Sequence, residues 1–587
     1  MSEPTTKTAR KTKPLPSQVE GFPQGIKAKI VLTSSGFLRV VVRDYYHDRK
    51  KKRGLEKRKY IGYVVDNKYY STEDYKKQFK KSGERRAAPD IRTEEPAGIP
   101  TEKVIALYSA LVERGAQEFP LYYKVAQDIH LVEDLEMTWG HHVTQAILSI
   151  AFHWLNTESN AAYLFESWRI NKLLPGSLSI SSKEMGELFN AISTEPDWYR
   201  RFFGARLKRL PEDEVLSYDA TQIASDAQEI CEVQYAKGKE GTYQYQVGLI
   251  LLVGHRTGMP VLFRILPGNI TDVTTVQDML FRFEELTEGK RVFAAVVDRG
   301  YFSLENIRRF LEKGSRVIIA AKKDPDWIKD AMEEALAKLW DGDFYIAKYD
   351  CWGCTVPVDL DCGGGKKRTV WVHVYRTDEK SKVENKKFFK KLVKFEEDWL
   401  EVSTKEFNKD CPLLKSPTLK YYRQDRLRPG VLPERDGDAV NQGIRYTGLF
   451  CNVTTMECTA AEAMTEYRAR DGIEKTFKAG KTNLEMDVIR AHTNSVMEGR
   501  FIVSFVALSI LNELKRRMKK VSGKTAVAKE LKGMTFEKLK NKLQTPRFVM
   551  DGKGSGYWMS VTEDQRKIAK LLGCPGAYTE IPKWALS

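Results

Sequence analysis

The sequence predicts a mixed α/β fold at the centre of a chain built from several domains. Strand-like runs of apolar and β-branched residues begin near residue 214 and then alternate with helical stretches, as in a mixed sheet covered by helices. The segment before residue 210 has helical spacing, and the segment after residue 322 carries short strands. At 587 residues, of which 42% are hydrophobic, the chain exceeds one core, and about three to five domains are expected.

The charge balance favours a polyanionic partner. Lysine and arginine number 96 against 79 aspartate and glutamate, a formal net charge of +17, which favours nucleic acid before a membrane surface. The longest apolar run, residues 501–511, is too short to span a bilayer and predicts a buried helix. The N-terminus lacks an apolar signal segment, and the eight cysteines lack the spacing of a disulfide scaffold. We therefore expect a cytoplasmic protein with no membrane partner.

Residues 1–95 are predicted to form a basic, β-containing DNA-binding module with a flexible tail and a linker. Short β-like runs in residues 28–65 surround a basic cluster at 49–53 and 57–59, which indicates a hairpin with a basic loop. Such a loop can lie along a phosphate backbone, and a merely solvated turn is the alternative. The charged, proline-bearing residues 80–100 are expected to be the linker.

Residues 96–210 are predicted to form a helical DNA-binding module. Apolar residues recur there at three- and four-residue spacing in residues 104–112, 139–154 and 183–192.

Residues 211–322 are predicted to form the first part of the α/β core. Three strand-like runs come first, at residues 215–218, 243–255 and 260–266. A helix (273–286), a strand (291–297), a second helix (304–311) and a further strand (316–320) follow. This order is the one expected of a ribonuclease H-like sheet.

The remaining segments are predicted to interrupt and then complete this core. Residues 323–456 are expected to be a β-rich insertion, residues 457–515 the helical second part of the core, and residues 516–587 a basic helical region that is a candidate for dimerisation. Two Gly-Lys-Thr triplets, at 480–482 and 523–525, are similar to the end of a phosphate-binding loop but lack its first glycine. No nucleotide cofactor is therefore expected.

Four polar residues stand in one row on the helix predicted at residues 459–482. Tyr467, Arg470, Glu474 and Lys481 fall within about a 60° arc at helical spacing. A carboxylate held between cations and an aromatic hydroxyl suits a site that holds a metal ion against a phosphate backbone. A solvated helix face is the alternative interpretation.

Two aspartates each end a strand-like run, and side chains at strand ends emerge into clefts. Asp219 and Asp298 can each be a simple turn-forming residue, because aspartate favours turns. Together with Glu474 they form a candidate set of three oxygen ligands. Three neighbouring carboxylates repel one another unless a cation lies between them, and Mg²⁺ prefers such hard ligands. Two such ions about 4 Å apart can activate water and stabilise a departing oxygen in an in-line displacement.

Four blocks of this chain resemble bacterial cut-and-paste DDE transposases of insertion sequences. The spacing Tyr467-x2-Arg470-x3-Glu474-x6-Lys481 resembles their YREK signature. The segment 217–221 (SYDAT) resembles the strand of their first aspartate, 297–302 (VDRGYF) that of the second, and 266–272 (LPGNITD) a segment between them. The blocks follow in the family's order, and the resemblance covers roughly residues 210–515.

The resemblance implies a DNA transposase that binds terminal inverted repeats and catalyses strand cleavage and strand transfer. Asp219, Asp298 and Glu474 would bind two Mg²⁺ ions, for which Mn²⁺ can substitute, and be the catalytic residues. Tyr467, Arg470 and Lys481 would bind phosphates of the DNA, arginine being suited to bidentate contact.

The implied partners are double-stranded DNA, at the transposon ends and the target, and a second copy of the chain as a homodimer on that DNA. The expected location is the cytoplasm, in association with the nucleoid. In some relatives an aromatic residue of the insertion stacks on a flipped base, so Trp352 and Trp371 are candidates for that role, with sheet packing as the alternative. Two other functions remain open: a structure-selective ribonuclease H-like nuclease or resolvase, and a domesticated, non-catalytic DNA-binding protein.

Overall fold

The structure, a computed structural model, describes residues 28–32, 38–48, 53–65, 68–74 and 112–585, without residues 178, 239–240, 364, 409–410 and 551–554. It has two compact units, Met1–Pro100 and Thr101–Ser587. The basic loop at 49–52, the linker at 80–100 and most of the apolar stretch at 104–112 lie outside the described residues.

The first unit contains a four-stranded antiparallel sheet in sequential order. Its strands are β1 (Ala28–Leu32), β2 (Leu38–Asp48), β3 (Arg53–Val65) and β4 (Lys68–Ser71). The register of β2 and β3 runs from Leu38 opposite Val64 to Asp48 opposite Arg53. A hairpin is therefore present where the sequence predicts one.

The second unit begins with a short strand and a group of helices. These are β5 (Val112–Gly115), α1 (Phe119–Asp128), α2 (Leu131–Trp139), α3 (His141–Thr157), α4 (Phe165–Trp168), α5 (Ser182–Thr194) and α6 (Trp198–Lys208). Gly140, at φ 79°, separates α2 from α3 and breaks the helical stretch predicted at 139–154. A capping box between Ser181 and Glu184 begins α5.

The centre of the second unit is a mixed sheet of ten strands. They are β6 (Leu216–Ala224), β7 (Gln234–Lys237), β8 (Tyr243–Gly254), β9 (Pro260–Pro267), β10 (Ala294–Val297), β11 (Arg316–Ala320), β12 (Tyr345–Ile346), β13 (Cys351–Asp361), β14 (Lys367–Arg376) and β15 (Leu449–Thr454). Their order is β12-β13-β14-β15-β11-β10-β6-β8-β7, with β9 also paired to β8. Strand β10 is parallel to β6 and to β11, and the other pairs are antiparallel. The mixed α/β class predicted from the sequence is confirmed.

The strands of the segment 323–456 join this same sheet. Strand β15 returns beside β11, with Ile318 opposite Thr454, and β14 and β13 extend the sheet from there. Burial explains the arrangement, since the alternate apolar residues of β13 and β14 pack into the main hydrophobic core.

Helices cover the sheet and complete the chain. They are α7 (Val276–Thr287), α8 (Leu304–Glu312), α9 (Asp326–Leu336), α10 (Asp378–Leu400), α11 (Gly437–Arg445), α12 (Ala460–Ala469), α13 (Asp471–Leu484), α14 (Asn494–Lys520), α15 (Ala526–Lys532), α16 (Phe536–Lys542) and α17 (Glu563–Leu571). Between α16 and α17 lie β16 (Arg547–Met550) and β17 (Gly556–Met559), and β16 pairs with β5. The C-terminal region therefore contains strands as well as the predicted helices.

The single helix expected at 459–482 is instead two helices, α12 and α13, which meet at Arg470. A capping box between Thr459 and Glu462 begins α12. At the junction the Arg470 N–H donates to the Tyr467 carbonyl (3.2 Å) and the Ile473 N–H to the Arg470 carbonyl (3.0 Å). These three-residue bonds tighten the backbone, as in a short 3₁₀ turn, and divide the helix.

Helix α14 is the core helix of the second unit. It contains residues 501–511, which are buried as predicted. It passes so close to α5 that a Cβ on Gly499 would lie 2.0 Å from the Phe189 carbonyl oxygen. Among the described residues, α14 is the one helix long and apolar enough to cross a bilayer, but 78% of its apolar window is buried inside the protein. One such helix is weak evidence for a membrane span, because a buried core helix of a folded domain has the same length and composition.

Glu498 makes the stability of the folded protein depend on pH. Burial, and then the charge of Glu232, raise the pKa of Glu498 to about 7, although Arg282 opposes this shift. Glu498 in turn contributes to the raised pKa of the buried Tyr199. The folded protein keeps this proton up to about pH 7, whereas the unfolded carboxyl loses it near its ordinary pKa of 4.5. Stability therefore falls as pH rises between these two values.

Glu498→Gln mimics the protonated carboxyl and removes this loss. At pH 8 the variant is expected to be more stable than the wild type by about 1–2 kcal/mol, a value reduced for partial exposure, with a smaller difference at pH 5. Thermal unfolding between pH 5 and pH 8 measures the difference, and the exposed Glu229→Gln is the control. A difference that does not change with pH would contradict the assignment.

Candidate active site

Two of the candidate acids lie side by side on neighbouring parallel strands. Tyr218 of β6 is in register with Val297 of β10, so the next residues, Asp219 and Asp298, are adjacent. Neighbouring strands lie about 4.8 Å apart, which brings the two carboxylates to one place. The register of two strands thus joins residues that are distant in the sequence.

Asp298 follows the last residue of β10, as the sequence predicts, but Asp219 does not end its strand. Strand β6 continues to Ala224, because β8 remains paired with it as far as Gln246. Asp219 is opposite Leu251 in that pairing. Its carboxylate accepts a hydrogen bond from the Ala220 N–H (2.8 Å) and is 13% exposed.

Glu474 reaches the same place from the first turn of α13. This helix packs through its buried face, whose residues are Ile473, Thr476, Ala479, Gly480 and Leu484. Thr476 also accepts a hydrogen bond from the Asn512 side chain of α14 (2.8 Å). The opposite face of α13 leaves the Glu474 carboxylate 56% exposed.

The guanidinium of Arg470 lies between all three carboxylates. Its Nη2 donates to Glu474 Oε1 (2.7 Å) and lies 3.7 Å from Asp298 Oδ1, while its Nη1 donates to Asp219 Oδ2 (3.4 Å). The Arg470 side chain is only 12% exposed. Burial opposes its charge, but Asp298, Tyr467, Asp219 and Glu474 outweigh burial and raise the pKa of Arg470.

Tyr467 completes this group. Its hydroxyl donates to Asp298 Oδ1 (3.5 Å), and its ring centroid lies 5.8 Å from the Arg470 guanidinium carbon. Burial raises the pKa of Tyr467, and although Arg470 opposes this effect, the pKa stays above its usual value. Tyr467 is therefore a neutral hydrogen-bond donor.

Lys481 stands apart from the other five predicted residues. It lies seven residues beyond Glu474 on α13, or about 10 Å along the helix axis. Its neighbours there include Thr221 and Ile223 of β6 and Leu249 and Leu251 of β8. The structure thus brings together five of the six residues named from the sequence and places Lys481 two turns away.

The donor chemistry of this group fits a divalent metal ion. Asp219, Asp298 and Glu474 present carboxylate oxygens, the ligands that Mg²⁺ prefers, around a position that already holds a positive group. Across the described part of the chain, no three His, Cys, Asp or Glu side chains converge as closely as a metal site requires. The three acids are instead spaced around a guanidinium, so a metal ion would take the place of Arg470 among them.

A layer of residues next to the two aspartates was not predicted from the sequence. The buried rings of Tyr218 and Tyr301 lie 4.6 Å apart, and the Tyr218 hydroxyl is hydrogen-bonded to Thr275. Asp272 lies so close to Gly300 that a Cβ there would be 3.1 Å from Asp272 Oδ2. Proximity in the sequence could have indicated these residues. Tyr218 directly precedes Asp219, and residues 300–301 follow Asp298 by two and three positions.

The two tryptophans suggested for base stacking have different surroundings. Trp352 is half-buried and packs against Trp340 (5.7 Å between ring centroids) and Tyr345 (5.0 Å), in a group of surface aromatics. Trp371 lies within β14, opposite Pro357 and Thr454. Their suggested role stays a prediction.

Comparison with known proteins identifies the family. A family model described as the transposase DDE domain matches residues 210–510, just over half of the 587-residue chain. The chain belongs to the transposase DDE domain family. Membership of this family implies a nuclease or transposition enzyme that acts on DNA. The matched residues of the transposase DDE domain include β6 to β15, α12 and α13, and so contain all six candidate residues.

The other comparisons add little to the family assignment. No curated protein matches the sequence. A solved structure titled "Cryo-EM structure of piggyBac transposase synaptic complex with hairpin DNA (SNHP)" is similar at 9% identity and a TM-score of 0.30, over 74% of this chain and 72% of that one. At this score the likeness is weak, and no residue role follows from it.

Proposed function

We propose that this chain is a Mg²⁺-dependent DDE transposase of a bacterial insertion sequence, with the YREK signature, which moves DNA by cut-and-paste. One observation carries the proposal: carboxylates at positions 219, 298 and 474 surround a single cationic group. Such a set, in a chain of the transposase DDE domain family, has the ligand chemistry that two-metal phosphoryl transfer needs.

The order of the central strands supports a ribonuclease H-like core. Strands β9, β8 and β6 form an antiparallel meander, and β10 and β11 follow in parallel beside β6. This is the arrangement expected from the sequence for that fold, with residues 323–456 as the insertion. Under this proposal, residues 1–95 and 96–210 are modules that recognise the terminal inverted repeats.

Each residue of the group has a role in the proposed mechanism. Asp219, Asp298 and Glu474 would hold the metal ions. When bound, these ions would supply the activation of the attacking hydroxyl and the stabilisation of the departing 3′ oxygen. Arg470 orients the scissile phosphate through the planar set of N–H donors on its guanidinium. Tyr467 donates a hydrogen bond to the same phosphate. Before DNA binds, Arg470 neutralises the three acids.

The proposal includes two equivalent protomers on the DNA. Each protomer binds one transposon end and cuts the other, so the active form is a homodimer bound to both ends. The cytoplasm, at the nucleoid, is the proposed location. The net charge of +17 supports a partner with a phosphate backbone.

The function can be tested with the DNA that flanks the gene. The purified chain is incubated with a supercoiled plasmid that carries both flanking regions, in Mg²⁺ or Mn²⁺, and with a second plasmid as target. Excision and joining to the target are expected. Cleavage without joining would indicate a nuclease or resolvase, and DNA binding without any cleavage would indicate a non-catalytic DNA-binding protein.

Lys481→Ala is expected to weaken binding to transposon-end DNA. Loss of one phosphate contact should reduce the slope of log affinity against log salt concentration by about one unit. Fluorescence anisotropy at a series of salt concentrations measures this slope. The control is Lys475→Ala, which removes the same charge from α13 about 120° around the helix, where Lys475 pairs with Asp471. Equal slopes for the wild type and Lys481→Ala would argue against a phosphate contact.

A further inference from the structure

Helix α10 presents one half of its surface as a row of lysines. Six exposed lysines recur at four-residue spacing in two adjacent rows: Lys382, Lys386, Lys390 and Lys394 in one, and Lys387 and Lys391 in the other. We call this surface the lysine face. The opposite side of the helix is buried through Leu392, Phe395 and Trp399.

Among the described residues, none of the six lysines of the lysine face forms an ion pair with an aspartate or glutamate. The acids of α10 lie toward its two ends. Glu384 accepts a hydrogen bond from the Gly448 N–H (2.8 Å), and Glu396 forms a bidentate pair with Arg435 (2.6 and 2.9 Å). The other four acids of the helix are exposed and flank the lysines: Asp378, Glu379, Glu397 and Asp398. Like charges four residues apart destabilise a helix slightly, so a bound polyanion would relieve repulsion along the middle of this helix.

Packing holds the lysine face in a fixed orientation. The Trp399 indole donates to the Arg428 carbonyl (2.9 Å), and the Tyr422 hydroxyl donates to the Leu392 carbonyl (3.0 Å). The rings of Phe395 and Tyr422 stack 4.9 Å apart. The lysines therefore project from a supported helix rather than from a loose segment.

The N-terminal end of α10 lies near the candidate active site. Lys380, in its first turn, and Lys323, which follows β11, both lie beside Glu384, at 3.9 and 3.6 Å. Val297 of β10 is in register with Ile319 of the parallel strand β11, so Asp298 and the segment that carries Lys323 leave the sheet at the same edge. Arg299 is the residue after Asp298. A run of positive charge thus leads from Asp298 to the lysine face.

We propose that the lysine face binds the phosphate backbone of double-stranded DNA that extends from the candidate active site past Asp298, independently of its sequence. This inference rests on the proposed function. The lysine face would be the surface of the protein that contacts the flanking or target DNA in that reaction. From Lys382 to Lys394 the face spans about 18 Å, or about five base pairs. Lysine suits this role, because it acts as a flexible point charge rather than as a planar reader of bases.

A fourfold glutamine variant tests the inference. In Lys386→Gln/Lys387→Gln/Lys390→Gln/Lys391→Gln the salt slope for a 40-base-pair duplex of unrelated sequence should fall by about three to four units, with affinity at least about tenfold lower at 0.1 M salt. The same change is expected with a duplex that contains DNA flanking the gene. The melting temperature of the variant should be equal to that of the wild type or slightly higher, because repulsion between like charges is removed.

The matched control removes the same charge elsewhere. Lys524→Gln/Lys529→Gln/Lys532→Gln/Lys538→Gln changes four exposed lysines of the C-terminal region. An equal loss of slope in this control, or a loss confined to one of the two duplexes, would overturn the inference. So would weaker binding to anionic phospholipid vesicles with unchanged affinity for DNA.

Strand cleavage by the wild type separates the two proposals. If the wild type cuts DNA in Mg²⁺ and the fourfold variant keeps the full salt slope, only the role of the lysine face is wrong. If the wild type neither binds nor cuts DNA, the proposed function itself is wrong, and the inference with it.

Discussion

Asp219→Asn is expected to reduce strand cleavage in Mg²⁺ by about a thousandfold or more, which corresponds to about 4 kcal/mol of lost transition-state stabilisation. The carboxamide keeps the shape of the side chain and can still accept the Ala220 N–H, but it loses the negative charge that a metal ligand needs. Because Asp219 is only 13% exposed and carries no positive charge, affinity for DNA should remain within about twofold. Gel assays of nicking and anisotropy measurements on one preparation check both expectations.

The comparison with another aspartate makes this test specific. Asp226→Asn removes the same charge from an exposed position just beyond β6 and should leave cleavage unchanged. Asp298→Asn and Glu474→Gln should behave like Asp219→Asn, because all three acids surround the same position. Full cleavage by Asp219→Asn in Mg²⁺ would remove the basis of the proposed function.

Arg470→Ala is expected to destabilise the metal-free protein by about 1–3 kcal/mol, between the values for exposed and buried ion pairs. Without the guanidinium, three carboxylates face one another with no cation between them. Added Mg²⁺ should restore part of this stability by binding the folded state, so the melting temperature of the variant should depend more on Mg²⁺ than that of the wild type. Strand cleavage should also fall, since a phosphate contact is lost.

Arg468→Ala is the control for this change. Arg468 lies two residues away on α12, is exposed, and stacks over the Tyr349 ring at 4.9 Å rather than contacting the acids. Its removal should leave the Mg²⁺ dependence of melting as in the wild type. The same melting curve for Arg470→Ala and the wild type, with and without Mg²⁺, would show that the guanidinium does not hold the acids together.

The strands of the core were predictable because each carries a strong local signal. Strands β8 and β9 each contain a continuous apolar run, and these runs are visible without knowledge of their partners. Helix α14 was visible for the same reason. Strand β7 was missed, since its residues alternate between partly and fully exposed positions and only pairing with β8 makes it a strand.

The candidate site was predictable in part. Asp219, Asp298 and Glu474 could be named from strand ends, spacing and a family resemblance, and their catalytic and metal-binding roles stay predictions. That Asp219 lies inside its strand could not be foreseen, because β8 determines where β6 ends. The division of one expected helix at Arg470 was also hidden, since its sequence has helical spacing throughout.

The sequence by itself determined the α/β class, the buried core helix, the excess of positive charge and the three acids that are candidates for the active site. These properties depend on composition and on spacing along the chain. Only the tertiary structure decided that Arg470 lies between the three carboxylates and that β13 to β15 extend the central sheet. It also decided that no described aspartate or glutamate forms an ion pair with the lysine face. Those facts depend on strand register and on packing between residues that are hundreds of positions apart, and local sequence does not encode them.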